Sequence, residues 1–178
     1  MPTPRVVRRR RAIRIALGIV VCAMAAAIAL RFAVHRPILS QEEIAGISET
    51  EAALLKTVNA ERVRLGHKPL KFSPRLTIVA RGHSYDMAIR RYLAHNSPEG
   101  ATPADRVRGV GIEFRAVGEN LYVGSERDLE ALPSRAIKRW LDSAEHRANI
   151  LSDDFVETGL GIARAADGSA YVTQDFIR

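Results

Sequence analysis

The sequence predicts an α+β domain behind an N-terminal membrane helix, and three observations lead there. Between residues 51 and 142, apolar side chains recur at helical spacing in several separate stretches. The last twenty residues or so form two strand-like runs joined by Ala166-Asp167-Gly168-Ser169, and Asp-Gly between such runs marks a hairpin. Near the N-terminus, the apolar run Ile15–Leu30 contains no charge and follows a cluster of arginines.

The charge is unevenly distributed. Residues 1–36 hold eight arginines and no acid, and without them the 27 basic residues fall to 19 against 20 acids. The net charge of +7 therefore belongs to the N-terminal arm, and the rest of the chain has no basic excess to draw nucleic acid. Residues 1–11 read as a cytoplasmic basic arm and residues 12–34 as a signal-anchor helix. At ~1.5 Å per residue, that length crosses a hydrocarbon core of about 30 Å. Arg14 and Arg31 lie near its ends, where they can reach the headgroups. The arginines ahead of the span place the N-terminus in the cytoplasm and the domain outside. The alternative is a secretory signal cut after Ala29, although Leu30-Arg31-Phe32 is a poor continuation of such a site. Cys22 lies in the apolar run and is the only cysteine, so the exported part must be stable without an internal disulfide. It reads as membrane filler, because Val21 is not the small residue a lipid-modified cysteine requires before it.

Pro37 closes the apolar segment, and residues 35–50 read as an acidic linker to a domain spanning 51–178. Leu54, Leu55, Val58 and Leu65 mark a first helix, with Gly66 as its stop. Ser73 is placed to cap a second helix with Pro74 at its first position, and Leu76, Ala80, His83 and Met87 share one face of it. Asn96-Ser97-Pro98-Glu99-Gly100 is a loop. Thr102-Pro103 starts a short helix that Gly109 and Gly111 end. Phe114–Val117 is a weak strand. Asp128–Asp142 is helical, with Leu129, Leu132, Ala136 and Trp140 on one side. Thr158–Arg164 and Ala170–Ile177 are the hairpin strands. Several helices and a small antiparallel sheet give a fold with helices packed on the sheet.

The residues also carry a family pattern. In order come Asn59-x-x-Arg62, Gly66-x-x-Pro69-Leu70, a helix ending near Asp86-Met87, His95 in YLAHNSPEG, and Gly118-Glu119-Asn120. Trp140, His146-Arg147-x-Asn149-Ile150-Leu151, Gly159-x-Gly161 and Tyr171–Phe176 complete it. This series resembles the CAP superfamily of cysteine-rich secretory proteins, antigen 5, plant pathogenesis-related proteins and many bacterial exported proteins, from about Glu51 to the C-terminus. The resemblance implies a three-layer α-β-α sandwich with a cleft lined by two His and two Glu, which binds a divalent metal in some members. Carried over by motif, the cleft residues are His95, Glu119 and His146. The second Glu would fall three residues after Trp140, where this chain has Ser143, and Glu145 adds a carboxylate beside His146.

His95, Glu119 and His146 are therefore the candidate ligands of a divalent metal such as zinc, which three such donors would hold with one position open. His83 is a tempting fourth, but a His on an apolar helix face reads as a packed core residue, and His67 reads as solvated. Glu119 could instead satisfy backbone N–H groups of a glycine-rich loop. Trp140 reads as core, and nothing around Ser143 marks a catalytic serine. The expected function is a single-pass, membrane-anchored, extracytoplasmic binding module with a monomeric domain, whose cleft holds an envelope component, lipid or peptide. The alternative is a metal-dependent, peptidase-like hydrolase using the same side chains.

Overall fold

The computed structural model describes residues 41–125 and 129–178, so the basic arm, the signal-anchor helix, Cys22, the cleavage site after Ala29, and Asp128 lie outside the described residues. In chain order the elements are α1 (Gln41–Arg64), β1 (Lys71–Phe72), α2 (Pro74–Arg90), α3 (Pro103–Gly109), β2 (Val117–Gly124), α4 (Leu132–Asp142), α5 (Ala144–Leu151), β3 (Glu157–Arg164) and β4 (Ala170–Ile177). The strands form one sheet in the order β1-β3-β4-β2. β4 pairs antiparallel with β2 and with β3, while the two-residue β1 runs parallel to β3. The expected antiparallel sheet is thus mixed, because the link between α1 and α2 adds a short parallel edge.

Helices cover both faces of the sheet. On one face Leu54 and Val58 of α1, Ala136 and Trp140 of α4, and Ile150 of α5 pack on Leu160, Ile162, Val172 and Phe176. On the other, Leu76, Val79 and Met87 of α2 and Val107 of α3 meet Leu121, Tyr171 and Ile177. All eight residues of β4 are buried, as expected of a central strand covered on both sides. α2 lies so close to β3 that the strand tolerates no side chain there: a Cβ on Gly159 would stand 2.3 Å from the Leu76 carbonyl carbon.

Several boundaries follow from local chemistry. The Ala166–Ser169 turn forms as expected, with Gly168 at φ +87° and the Ser169 N–H donating to the Asp167 side chain at 2.9 Å. Thr102 and Asp105 cap α3 reciprocally, the Asp105 N–H donating to the Thr102 hydroxyl at 3.2 Å and the Thr102 N–H to the Asp105 carboxylate at 3.0 Å. Ser73 sits at the N-cap of α2, but its side chain makes no capping hydrogen bond. α1 begins at Gln41, inside the expected 35–50 linker, and α4 begins at Leu132 with Pro133 in its first turn. The predicted strand at 114–117 is displaced onto 117–124, where cross-strand pairing with β4 overrides the weak propensity of Gly118 and Asn120.

Asn59 and Arg62 act as a clasp at the end of α1. The Asn59 amide donates to Leu70 O at 3.0 Å and accepts from Leu70 N at 2.9 Å. Arg62 is 1% exposed and donates to the carbonyls of Lys68, Ile150 and Ser152, tying α1 to the end of α5. Arg62→Leu would leave these carbonyls without that donor, so equilibrium urea unfolding of residues 40–178 should show a loss of about 3 kcal/mol or more. A change below about 1 kcal/mol would mean that water replaces the guanidinium without penalty.

Candidate functional site

Glu119 is the centre of a polar cluster under the outer loops. It occupies β2 directly opposite Asp175 of β4. Its neighbour two residues on, Leu121, packs on Met87 of α2, so the alternation of the strand points Glu119 toward the α2 side of the sheet. The expected glycine-rich loop around Glu119 is therefore a strand, and its carboxylate meets side chains rather than local N–H groups.

Both carboxylate oxygens are engaged. His95, in the loop after α2, approaches Oε1 through Nδ1 at 2.7 Å, and Arg106 of α3 donates from Nη2 to Oε2 at 2.5 Å. A carboxylate only accepts, so the His95 Nδ1–H donates, leaving Nε2 as the second functional nitrogen of a ring whose side chain is 53% exposed. Arg106 also donates to His95 O at 2.9 Å and Ala101 O at 3.1 Å, fixing the loop that carries the imidazole. The bond to Glu119 raises the His95 pKa above its ordinary value, opposed by burial.

Two further groups stand beneath. His83 is buried, as its apolar helix face predicts, with Nε2 3.0 Å from Ala94 O; it also lies 3.9 Å from Glu119 Oε2, so it belongs to the cluster as well as to the core. Burial lowers its pKa, with the Glu119 charge acting the other way. Asp175 is fully buried and neither of its oxygens is hydrogen-bonded within the protein. Burial, and then the Glu119 charge, raise its pKa well above the carboxylate range.

His146 arrives on α5 at the outer edge of β2. Asn120 donates to its backbone carbonyl at 3.1 Å, and Asn149 donates to Asn120 Oδ1 at 2.9 Å and to Glu119 O at 3.2 Å. Its Nδ1 is buried without a hydrogen-bond partner, and burial followed by the His95 charge lowers its pKa. His146 thus senses His95 electrostatically while Glu119 faces the other helix layer. Ser143 sits at the α4–α5 junction, its N–H bonded to Trp140 O at 3.2 Å, and its hydroxyl caps neither helix. Trp140 is core: it is 0% exposed and its indole donates to Leu121 O at 2.8 Å. His67 departs from the solvated reading. It is half-buried, with Nδ1 3.0 Å from Asp153 Oδ1.

These positions do not assemble the expected ligand set. Among the described residues, no three His, Cys, Asp or Glu side chains are grouped so as to hold one ion. The donor chemistry agrees: Arg106 places a permanent positive charge on the carboxylate that would have to face the cation. Sequence reasoning overlooked Arg106 and Asp175. Arg106 carried no signal, since 13 residues separate it from Glu119. Asp175 carried one, an acid inside a strand otherwise suited to full burial.

A mixed four-stranded sheet with helices on both faces defines the class. The family model for the cysteine-rich secretory protein family (CAP) matches residues 55–176, and the chain belongs to that family. It is similar to the uncharacterized protein YkwD of Bacillus subtilis, at 35% identity over 131 residues, covering 74% of this chain and 48% of that protein. It is also similar to the uncharacterized membrane protein YlbC of the same organism, at 31% identity over 72% of this chain and 34% of that one. Among solved structures it resembles an extracellular SCP-domain protein of Bacillus anthracis, with 30% identity and a TM-score of 0.65 over 80% of this chain and 45% of that one. The chain spans about half or less of the length of these relatives. Among the described residues, no helix is long and apolar enough to cross a membrane.

Proposed function

We propose that this chain is a membrane-anchored, extracytoplasmic binding module whose cleft around His95 and His146 holds a small organic ligand or peptide end from the cell envelope. One observation carries the reading: both oxygens of Glu119 are already engaged, by His95 and by Arg106. A carboxylate so neutralised is a poor general base and a poor metal ligand, but it fixes an imidazole whose outer nitrogen can bind. Anchoring is supported by the arginine-flanked apolar run, by the membrane protein YlbC, and by the extracellular Bacillus anthracis relative. Native mass spectrometry of the detergent-solubilised full chain should show a co-purifying small molecule, lost by at least about tenfold in occupancy when His95→Ala and His146→Ala are combined, a loss of about 1.4 kcal/mol. Undiminished occupancy in that double variant would remove the cleft from the function.

A hydrolase is the second reading, and the His95–Glu119 pair favours it specifically. A carboxylate that orients an imidazole leaves Nε2 free to take a proton from a nucleophile. Steady turnover of peptide or ester substrates, abolished by His95→Ala, would establish it over the binding module.

A further inference from the structure

The outer surface of α2 is apolar where a helix facing water would be polar. Ile78, Tyr85 and Ile89 fall at successive spacings of seven and four on the side opposite Leu76, Ala80, His83 and Met87. They are 65%, 36% and 52% exposed, and Leu93 just beyond the helix is 50% exposed. Gly82 lies between Ile78 and Tyr85 on this stripe, and a Cβ there would meet nothing within 4 Å. No packing contact accounts for a glycine in mid-helix; it leaves the backbone bare at the centre of the stripe.

The charge around this stripe is net positive, although Asp86 and Glu99 pair with Arg90. Residues 71–115, which include α2, the loop after it and α3, contain eight basic residues and four acids, whereas residues 116–178 contain seven and eleven. Arg75 stands at one end of the stripe and Arg90 and Arg91 at the other, all exposed. Exposed isoleucines, a half-exposed tyrosine and flanking arginines match the interfacial zone of a bilayer, where apolar side chains enter the acyl boundary and basic ones meet the headgroups. A protein partner would need an apolar patch of matching shape, whereas a bilayer needs only this composition and charge.

We infer that the outer face of α2 docks on the surface of an anionic phospholipid bilayer through Ile78, Tyr85 and Ile89, with Arg75 and Arg91 on the headgroups. Docking there lays α2 flat on the membrane. The nearness of a bilayer rests on the anchor proposed above; the character of the face does not.

The test uses the full chain carrying Tyr85→Trp, reconstituted in bilayers of equimolar phosphatidylglycerol and phosphatidylcholine or of phosphatidylcholine alone, each with acyl-brominated lipid as a quencher. Trp140, at 0% exposure, supplies a background that the unsubstituted protein measures. The new indole should lose more than half its emission in the anionic bilayer and little in the zwitterionic one. Adding Arg75→Gln and Arg91→Gln should lower the docked-to-free ratio about fivefold per charge removed. Adding Ile78→Asp and Ile89→Asp should abolish quenching, with circular dichroism verifying the fold. No quenching in the anionic bilayer, or equal quenching in both, would overturn the inference. So would a blue shift that depends on protein concentration without lipid, which would assign the face to a second copy of the chain. An alkaline carbonate wash reads the anchor separately: a chain released by it, yet quenched when added to anionic vesicles, would lose the anchor and keep the docking face.

Discussion

Gly161→Ala should cost the domain a large share of its stability. The added Cβ would lie 2.2 Å from the Arg81 amide nitrogen and 2.3 Å from the Ala80 carbonyl carbon. Both are main-chain atoms in the middle of α2, so no rotamer change relieves the clash, and the helix must lift from β3. Overpacking a core typically costs 1–3 kcal/mol, roughly, when side chains can move; with backbone on both sides, about 3 kcal/mol or more is expected. Set against a total stability of roughly 5–15 kcal/mol, that removes a large share. The control is Gly82→Ala in the same helix, where a Cβ meets nothing, and Ala should gain about 0.5–1 kcal/mol over Gly. Urea titration of residues 40–178 would report both. If Gly161→Ala stayed within about 1 kcal/mol of the parent, the close contact of α2 on β3 would be wrong.

Arg106→Ala should be the most damaging change at the candidate site. The Glu119 side chain is 1% exposed, and losing Arg106 leaves its carboxylate buried beside Asp175 with only imidazoles to offset its charge. Removing one partner of a buried pair costs about 3–5 kcal/mol. Combining Arg106→Ala with Glu119→Gln removes the orphaned charge and should recover more than half of that loss.

The pH dependence follows from Asp175. Its native pKa is raised above the unfolded value, so folding takes up a proton there. The stability this contributes is complete below the unfolded carboxyl value of about 3.9 and is lost as pH rises toward the raised native value. Arg106 opposes the shift, so without it the loss steepens: the deficit of Arg106→Ala should be smaller at pH 4 than at pH 7. A deficit independent of pH would mean that Arg106 acts by holding the 95–101 loop rather than by its charge on the carboxylates.

The patterns legible in the sequence were the local ones. The Asp167-Gly168 hairpin, the helix start at Thr102-Pro103, the apolar face of α2 and the buried place of Trp140 each depend on residues within a turn or two of one another. The family motifs also pointed to the family, and the matched span of residues 55–176 shows it. The sequence could not specify what Glu119 does. That depends on β2 pairing with β4, on Arg106 arriving from α3 and His95 from the preceding loop, and on a face of the sheet set by an alternation that Phe114–Val117 did not announce. The parallel pairing of β1 was equally hidden, since two exposed residues carry no periodicity and gain their partners only when α1 and α2 bring them to β3. Propensity, caps and turns act over a few residues and are written in the chain. A buried charge takes its role from whichever distant side chains the packed layers bring within about 4 Å, because at that distance in a weakly screening interior each partner changes its energy by several kcal/mol.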